Sequence, residues 1–152
     1  MNICRVAIAL ACFALPVIAT PALAQRKPPA QPTQPAPNPN EKTYPMGTNW
    51  TLREMNGKPI PAGIEATMTI DDRFRGSGTS GCNTWSATMW PVRNQRFAVG
   101  PVALTKKACP APVMAFERAY LTALHAQPQW DLVGGYLEVK GPAGTLKFAR
   151  GF

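Results

Sequence analysis

Cys82, Cys109, Glu117 and His125, the chain's single histidine, are the side chains best equipped for covalent or acid–base chemistry. A thiol nucleophile, an imidazole base and a carboxylate to orient it would make a cysteine-dependent hydrolase. Their spacing speaks against that arrangement. On one helix Glu117 and His125 stand two turns apart, roughly 12 Å along the axis, too far to pair. A histidine near a helix end has a simpler use, because its protonated ring complements the helix dipole. Asp71-Asp72 is no better as a catalytic pair, since neighbours on a strand point to opposite faces. One histidine leaves no multi-histidine metal site, and the 8 carboxylates form no calcium-loop pattern, so neither metal nor cofactor is expected. Gly76-Ser77-Gly78-Thr79-Ser80-Gly81 has the letters of a dinucleotide-binding G-x-G-x-x-G. Cys82 to Met89, however, reads as a strand where that motif needs a helix.

The elements that must position these residues follow from two periods. Alternation of apolar and polar side chains predicts strands with one buried face around Trp50 and Leu52, Met68 and Ile70, and Trp85, Ala87 and Met89. It does so again around Phe97 and Val99, Trp130 and Leu132, Leu137 and Val139, and Leu146 and Phe148. Arg73 and Arg75 flank Phe74 on the opposite parity and are read as sharing one strand face. Asn56-Gly57, Gly134-Gly135 and Gly141-Pro142-Ala143-Gly144 supply the turns. Between Pro112 and Ala126 the spacing changes: Val113, Phe116, Tyr120, Leu121 and Leu124 form one stripe of a helix. Pro110 and Pro112 are tolerated at its start, where backbone donors lack helical partners anyway. Glu117 lies inside the apolar stripe, so its carboxylate must find donors or lose its charge.

The start of the chain has a different character. Arg5, the apolar run Val6 to Ile18 and Ala22-Leu23-Ala24 have the form of an export signal spanning 1–24, with cleavage before Gln25. The alternative is a lipoprotein anchored at Cys12, although the apolar stretch before that cysteine is short for a signal core. Residues 25–45 hold seven prolines among Gln, Asn, Ala and Thr, with Tyr44 the one large apolar side chain. Such a stretch is expected to be an extended, solvated spacer. The folded domain is then 46–152. Cleavage leaves Cys82 and Cys109 as an even pair in an oxidising compartment, where a disulfide is the default. Closing that loop would stabilise the domain by roughly 3–4 kcal/mol in the chain-entropy account.

The motifs Trp50-Thr51-Leu52, Asn56-Gly57-Lys58, Gly78-Thr79-Ser80-Gly81-Cys82-Asn83 and Leu104-Thr105-Lys106-Lys107-Ala108-Cys109 stand in that order, with Glu117 eight positions beyond Cys109. Together they resemble the META domain, or HslJ-like, family from Trp50 to Phe148. The resemblance implies a mainly β (α+β) fold, an open or cracked antiparallel β-barrel of about eight strands crossed by one α-helix. It implies that Cys82 and Cys109 staple a loop to the helix start, while Glu117 accepts hydrogen bonds from groups between Ser80 and Asn83. It also implies an envelope or secreted protein linked to stress tolerance, with no catalytic residues established. By analogy with barrel proteins that hold lipid in a crack, a hydrophobic groove is expected.

Lys+Arg 16 against Asp+Glu 8 gives the chain a net charge of +8, and removal of the leader takes only Arg5 from that excess. Arg73, Arg75, Lys106 and Lys107 are therefore candidate contacts for anionic partners. In an exported protein such a partner is an anionic envelope surface, with envelope proteins as further partners, and not nucleic acid, because the charges are scattered and form no stripe. The reading is a non-enzymatic binding or assembly module, periplasmic or secreted after cleavage of the signal, that holds an acyl chain or apolar peptide. A secreted cysteine hydrolase and a purely structural stress protein are the alternatives.

Overall fold

The computed structural model describes residues 42–151. The expected export signal, the Cys12 anchor and spacer residues 25–41 lie outside the described residues. Lys42 to Pro45 already pack on the domain, with Pro45 buried.

Ten strands and one helix follow in order: β1 (Trp50–Met55), β2 (Lys58–Pro59), β3 (Thr67–Ile70), β4 (Arg75–Thr79), β5 (Thr84–Val92), β6 (Arg96–Val99), β7 (Ala103–Leu104), α1 (Ala111–His125), β8 (Gln129–Val133), β9 (Tyr136–Gly141) and β10 (Gly144–Arg150). Eight of these strands form a ring. β1 pairs with β3, then the ring runs β4, β5, β6, β8, β9 and β10, and β10 returns to β1 with Trp50 opposite Arg150 and Met55 opposite Leu146. Every pairing is antiparallel, and the short β2 and β7 attach to β1 and β5 outside the ring. The closed barrel is thinnest between β6 and β8, where one residue pair, Arg96 with Gln129, is in register. Two backbone bonds flank it, Phe97 N to Pro128 O at 3.0 Å and Trp130 N to Gln95 O at 2.7 Å. The opening expected of a cracked barrel is reduced to this seam.

Alternation places Trp50, Leu52, Met68, Ile70, Met89, Phe97, Leu137, Val139, Leu146 and Phe148 inside, all essentially inaccessible. Opposite Trp85 and Ala87, the inward positions of β4 are Gly78 and Gly76. A Cβ on Gly78 would stand 2.0 Å from the Thr67 carbonyl oxygen, and one on Gly76 would stand 2.3 Å from Met89 Sδ. Two of the glycines that imitate a nucleotide motif thus make room, Gly76 for the Met89 side chain and Gly78 for the close approach of the Thr67 backbone. The freed space lets the Trp85 indole and the Tyr120 hydroxyl both reach the Thr67 carbonyl, at 3.3 and 3.0 Å.

α1 closes one end of the barrel with Phe116, Glu117, Tyr120, Ala123 and Leu124 buried. Val113 and Leu121, placed by the heptad-like spacing in the same stripe, sit at its half-buried edges. Pro110 is the N-cap and Pro112 lies in the first turn, where a missing amide proton costs no helical bond. The other end is covered by Tyr44, whose ring meets Phe97, Trp130 and Phe74 edge-on at centroid distances of 5.6, 5.7 and 6.2 Å.

One expected strand is corrected. Arg73 and Arg75 do not share a strand face, because β4 begins only at Arg75. Asp71 accepts from the backbone amides of Arg73 and Arg75 at 2.9 and 2.8 Å, which folds 71–74 into a turn and throws Phe74 into the left-handed region at φ 58°. An aspartate that captures amides two and four residues ahead competes with strand pairing, and here it wins.

Candidate functional site

Ser80, Asn83 and Glu117 are the buried polar side chains of the described domain. The turn after β4 carries the first two, and α1 carries the third into their midst. Glu117 Oε2 accepts from Ser80 Oγ at 2.5 Å and from the Asn83 amide at 2.9 Å, while Oε1 accepts from Asn83 Nδ2 at 2.9 Å. The Ser80 hydroxyl also lies 2.9 Å from the Asn83 carbonyl. A hydroxyl has one proton, and the short contact to the carboxylate takes it. Burial raises the cost of charging Glu117, but the donated bonds outweigh it and hold the carboxyl below its ordinary range.

Asn83 extends the network. Its Oδ1 accepts from Thr105 Oγ1 and the Lys107 amide, both at 2.8 Å, and Thr105 Oγ1 is in turn 3.1 Å from the Thr84 amide. One side chain therefore ties the helix carboxylate to the strap 100–110 that leads into α1. The Cys82–Cys109 disulfide closes the same junction across a sequence separation of 27. With Cys82 bonded to Cys109, Glu117 committed to Ser80 and Asn83, and His125 exposed at the far end of α1, the three residues of the hydrolase arrangement are not brought together. Among the described residues no three of His, Cys, Asp and Glu gather as a metal ion would require.

The four candidate cations separate. Lys106 and Lys107 are exposed on the strap beside the disulfide, whereas Arg73 lies in the turn at the Tyr44 end and Arg75 opens β4 next to it. Arg75 is engaged by Asp71 at 3.1 Å, in an ion pair too exposed to hold the site together. The Arg75 amide, which contributes most, that side-chain bond and the Arg73 amide keep Asp71 below the usual carboxylate range.

A groove missed by periodicity lies outside the barrel. The β1–β2 hairpin leans toward α1, and Met55, Pro59, Ile60 and Pro61 face Ala115, Phe116 and Ala119 across a space of about 420 Å³ with Lys58 at its edge. The signal was present in Ala115 and Ala119, two small residues one helical turn apart beside the bulky Phe116. They could be recognised only once a hairpin was known to lie over them.

With the geometry in place, comparison with known proteins assigns the fold's relatives. Residues 43–151 match the META domain profile. No curated protein matches the chain. An NMR structure of a protein from Burkholderia xenovorans is similar at 23% identity and TM-score 0.60, covering 83% of this chain and 97% of that one. A second NMR structure of a protein is similar at 21% identity and TM-score 0.57, covering 67% and 87%. A crystal structure of a DUF4847 family protein from Bacteroides vulgatus is similar at 13% identity and TM-score 0.50, covering 69% and 93%. At these identities the likeness is one of fold. The profile match over nearly the whole described domain is decisive: the chain belongs to the META domain, HslJ-like, family.

Proposed function

We propose that this protein is an exported, envelope-associated, non-enzymatic binding or assembly module linked to stress tolerance, and that it holds the acyl chain of an anionic amphiphile in the groove between the β1–β2 hairpin and α1. The observation that carries the reading is the groove itself. Its apolar walls are Met55, Ile60, Phe116 and the proline pair, and its volume of about 420 Å³ falls within the roughly 300–1,000 Å³ usual for small-molecule sites. The barrel interior is filled by its own core, so an acyl chain has room outside the ring and not within it. Lys58 at the edge and the net charge of +8 suit a negative head group. The export and stress aspects rest on what the family resemblance implies and on the signal-like leader.

Titration with lysophosphatidylglycerol below its micellar concentration, followed by methyl NMR, tests the reading. The Ala115, Ala119 and Ile60 methyl signals are expected to shift together, and Ala119→Arg, at an exposed helix position, is expected to abolish the shifts while the fold persists. An unchanged spectrum up to millimolar ligand would defeat it, as would equal shifts with an apolar peptide and none with the lipid. Thiol labelling of the native protein checks the hydrolase alternative, which requires a free, reactive Cys82.

A further inference from the structure

Several irregular features gather at the barrel end opposite α1. Phe74, a bulky residue, is held at φ 58°, and Asn94 and Gln95 in the β5–β6 turn stand at φ 62° and 48°. Left-handed backbone in a bulky residue such as Phe74 is costly and marks a site where surrounding structure imposes it, whereas Asn94 and Gln95 adopt it as a tight hairpin turn requires. The one-pair seam between β6 and β8 adjoins that turn, where Trp130 N bonds Gln95 O at 2.7 Å. Here too lie Tyr44 Oη and Trp130 Nε1, both buried and both without a hydrogen-bond partner. Trp130 is itself only 4% exposed. Each such orphan costs about 1–3 kcal/mol relative to a paired group, so the seal that Tyr44 makes is imperfect.

The segment that makes the seal is lightly held. Lys42 Nζ reaches Asp131 Oδ1 at 2.5 Å and the Leu132 carbonyl at 2.8 Å, but both side chains of this ion pair are over 40% exposed, at 42% and 47%. The Trp50 indole donates to the Pro45 carbonyl at 3.3 Å, and no strand pairs with 42–45. What occupies the mouth is thus a short peptide outside any strand, turned at Pro45 by a bond from Met46 N to Tyr44 O at 2.8 Å: a cation on Asp131, an aromatic ring in a slot of Phe74, Phe97 and Trp130, and a proline behind it.

We infer that this barrel mouth is a peptide-binding site, filled in cis by Lys42-Thr43-Tyr44-Pro45, and that its ligand in trans is a partner segment with a basic residue two positions before an aromatic one. A partner carbonyl placed to accept from Trp130 Nε1 would pair a donor that the cis segment leaves unpaired, which gives the partner its advantage. The site is separate from the groove and stands whether or not the groove binds lipid.

A fluorescein-labelled peptide, Glu-Lys-Thr-Tyr-Pro-Met, titrated against the full chain tests the inference. Tyr44→Ala empties the slot and is expected to bind the peptide at least about tenfold more tightly than the unaltered chain, in which the cis segment competes. The Trp130 indole resonance is expected to shift on binding, and the same peptide with Ala in place of Tyr is expected not to bind. Lys42→Ala, which keeps the core intact and loosens only the clamp, is expected to fall between the two. Absence of binding by both variants up to millimolar peptide overturns the inference, as does binding indifferent to the tyrosine or a stationary Trp130 resonance. If Tyr44→Ala does not fold, Lys42→Ala decides alone, and an affinity equal to that of the unaltered chain overturns it.

Discussion

Glu117 is charged, 3% exposed, and surrounded by donors that its own element does not supply. Such a group stabilises a fold only while every donor keeps its acceptor, because the alternative is a buried orphan. Replacement by glutamine leaves the shape and turns one acceptor into a donor facing Ser80 or Asn83. Glu117→Gln is expected to cost about 2–3 kcal/mol, the worth of hydrogen bonds to a charged group, read as a fall in denaturant midpoint without a change in slope. The pH dependence has a definite sign. The carboxyl is below its ordinary value in the folded state, so its contribution is complete above the unfolded value of 4.5 and is lost as pH falls through the folded value. Melting curves of the native protein should therefore weaken below about pH 4.5, and the difference from Glu117→Gln should shrink there. Asp71 and Asp131 are also held low, by their bonds to Arg75 and to Lys42, so it is this difference and not the bare curve that reports Glu117. That the carboxylate must meet donors was legible from its place in the apolar stripe. The double use of Asn83 was not, because nothing in one amide side chain announces that both of its ends are occupied.

At the scale of elements, the strap 100–110 is the least self-sufficient part of the domain. Its two-residue β7 pairs with Trp85 and Ser86, Lys107 leans on Asn83, and most of its side chains are exposed. The disulfide holds its far end. Reduction, or Cys109→Ser, is expected to lower stability by roughly 3–4 kcal/mol, with amide exchange accelerating in 100–110 before the barrel strands respond. Simultaneous exchange of strap and barrel would show that the strap is held by more than this junction. The helix and seven of the strand positions were legible because burial on one face imposes period 3.6 or period 2. The Arg73–Arg75 strand was misread because a single residue between β3 and β4, Asp71, reroutes the backbone through local hydrogen bonds that alternation does not register. β2 and β7 escaped because two residues define no period.

At the scale of the whole molecule, the ring is closed by very unequal joints. β1 meets β10 over five residue pairs, while β6 meets β8 over one. Hydrogen exchange at the Phe97 and Trp130 amides is expected to proceed through local opening, faster than at Leu52 or Phe148, under conditions where the barrel as a whole stays folded. Equal protection would mean that the seam opens only with global unfolding. The mainly β class followed from the alternating segments, and the barrel from the family resemblance. Closure did not, since pairing between the first and last strands is a contact of the greatest sequence separation, written in no local pattern. That closure also decides how the domain meets tension. Trp50, where β1 begins, stands opposite Arg150, where β10 finishes. A pull on both ends of the domain therefore loads this ladder one rung at a time, like the slider of a zipper, and never all rungs in parallel. Once it parts, the covalent link between Cys82 and Cys109 shields the 27 residue steps between them, withholding about 90 Å of extension from the unravelled chain.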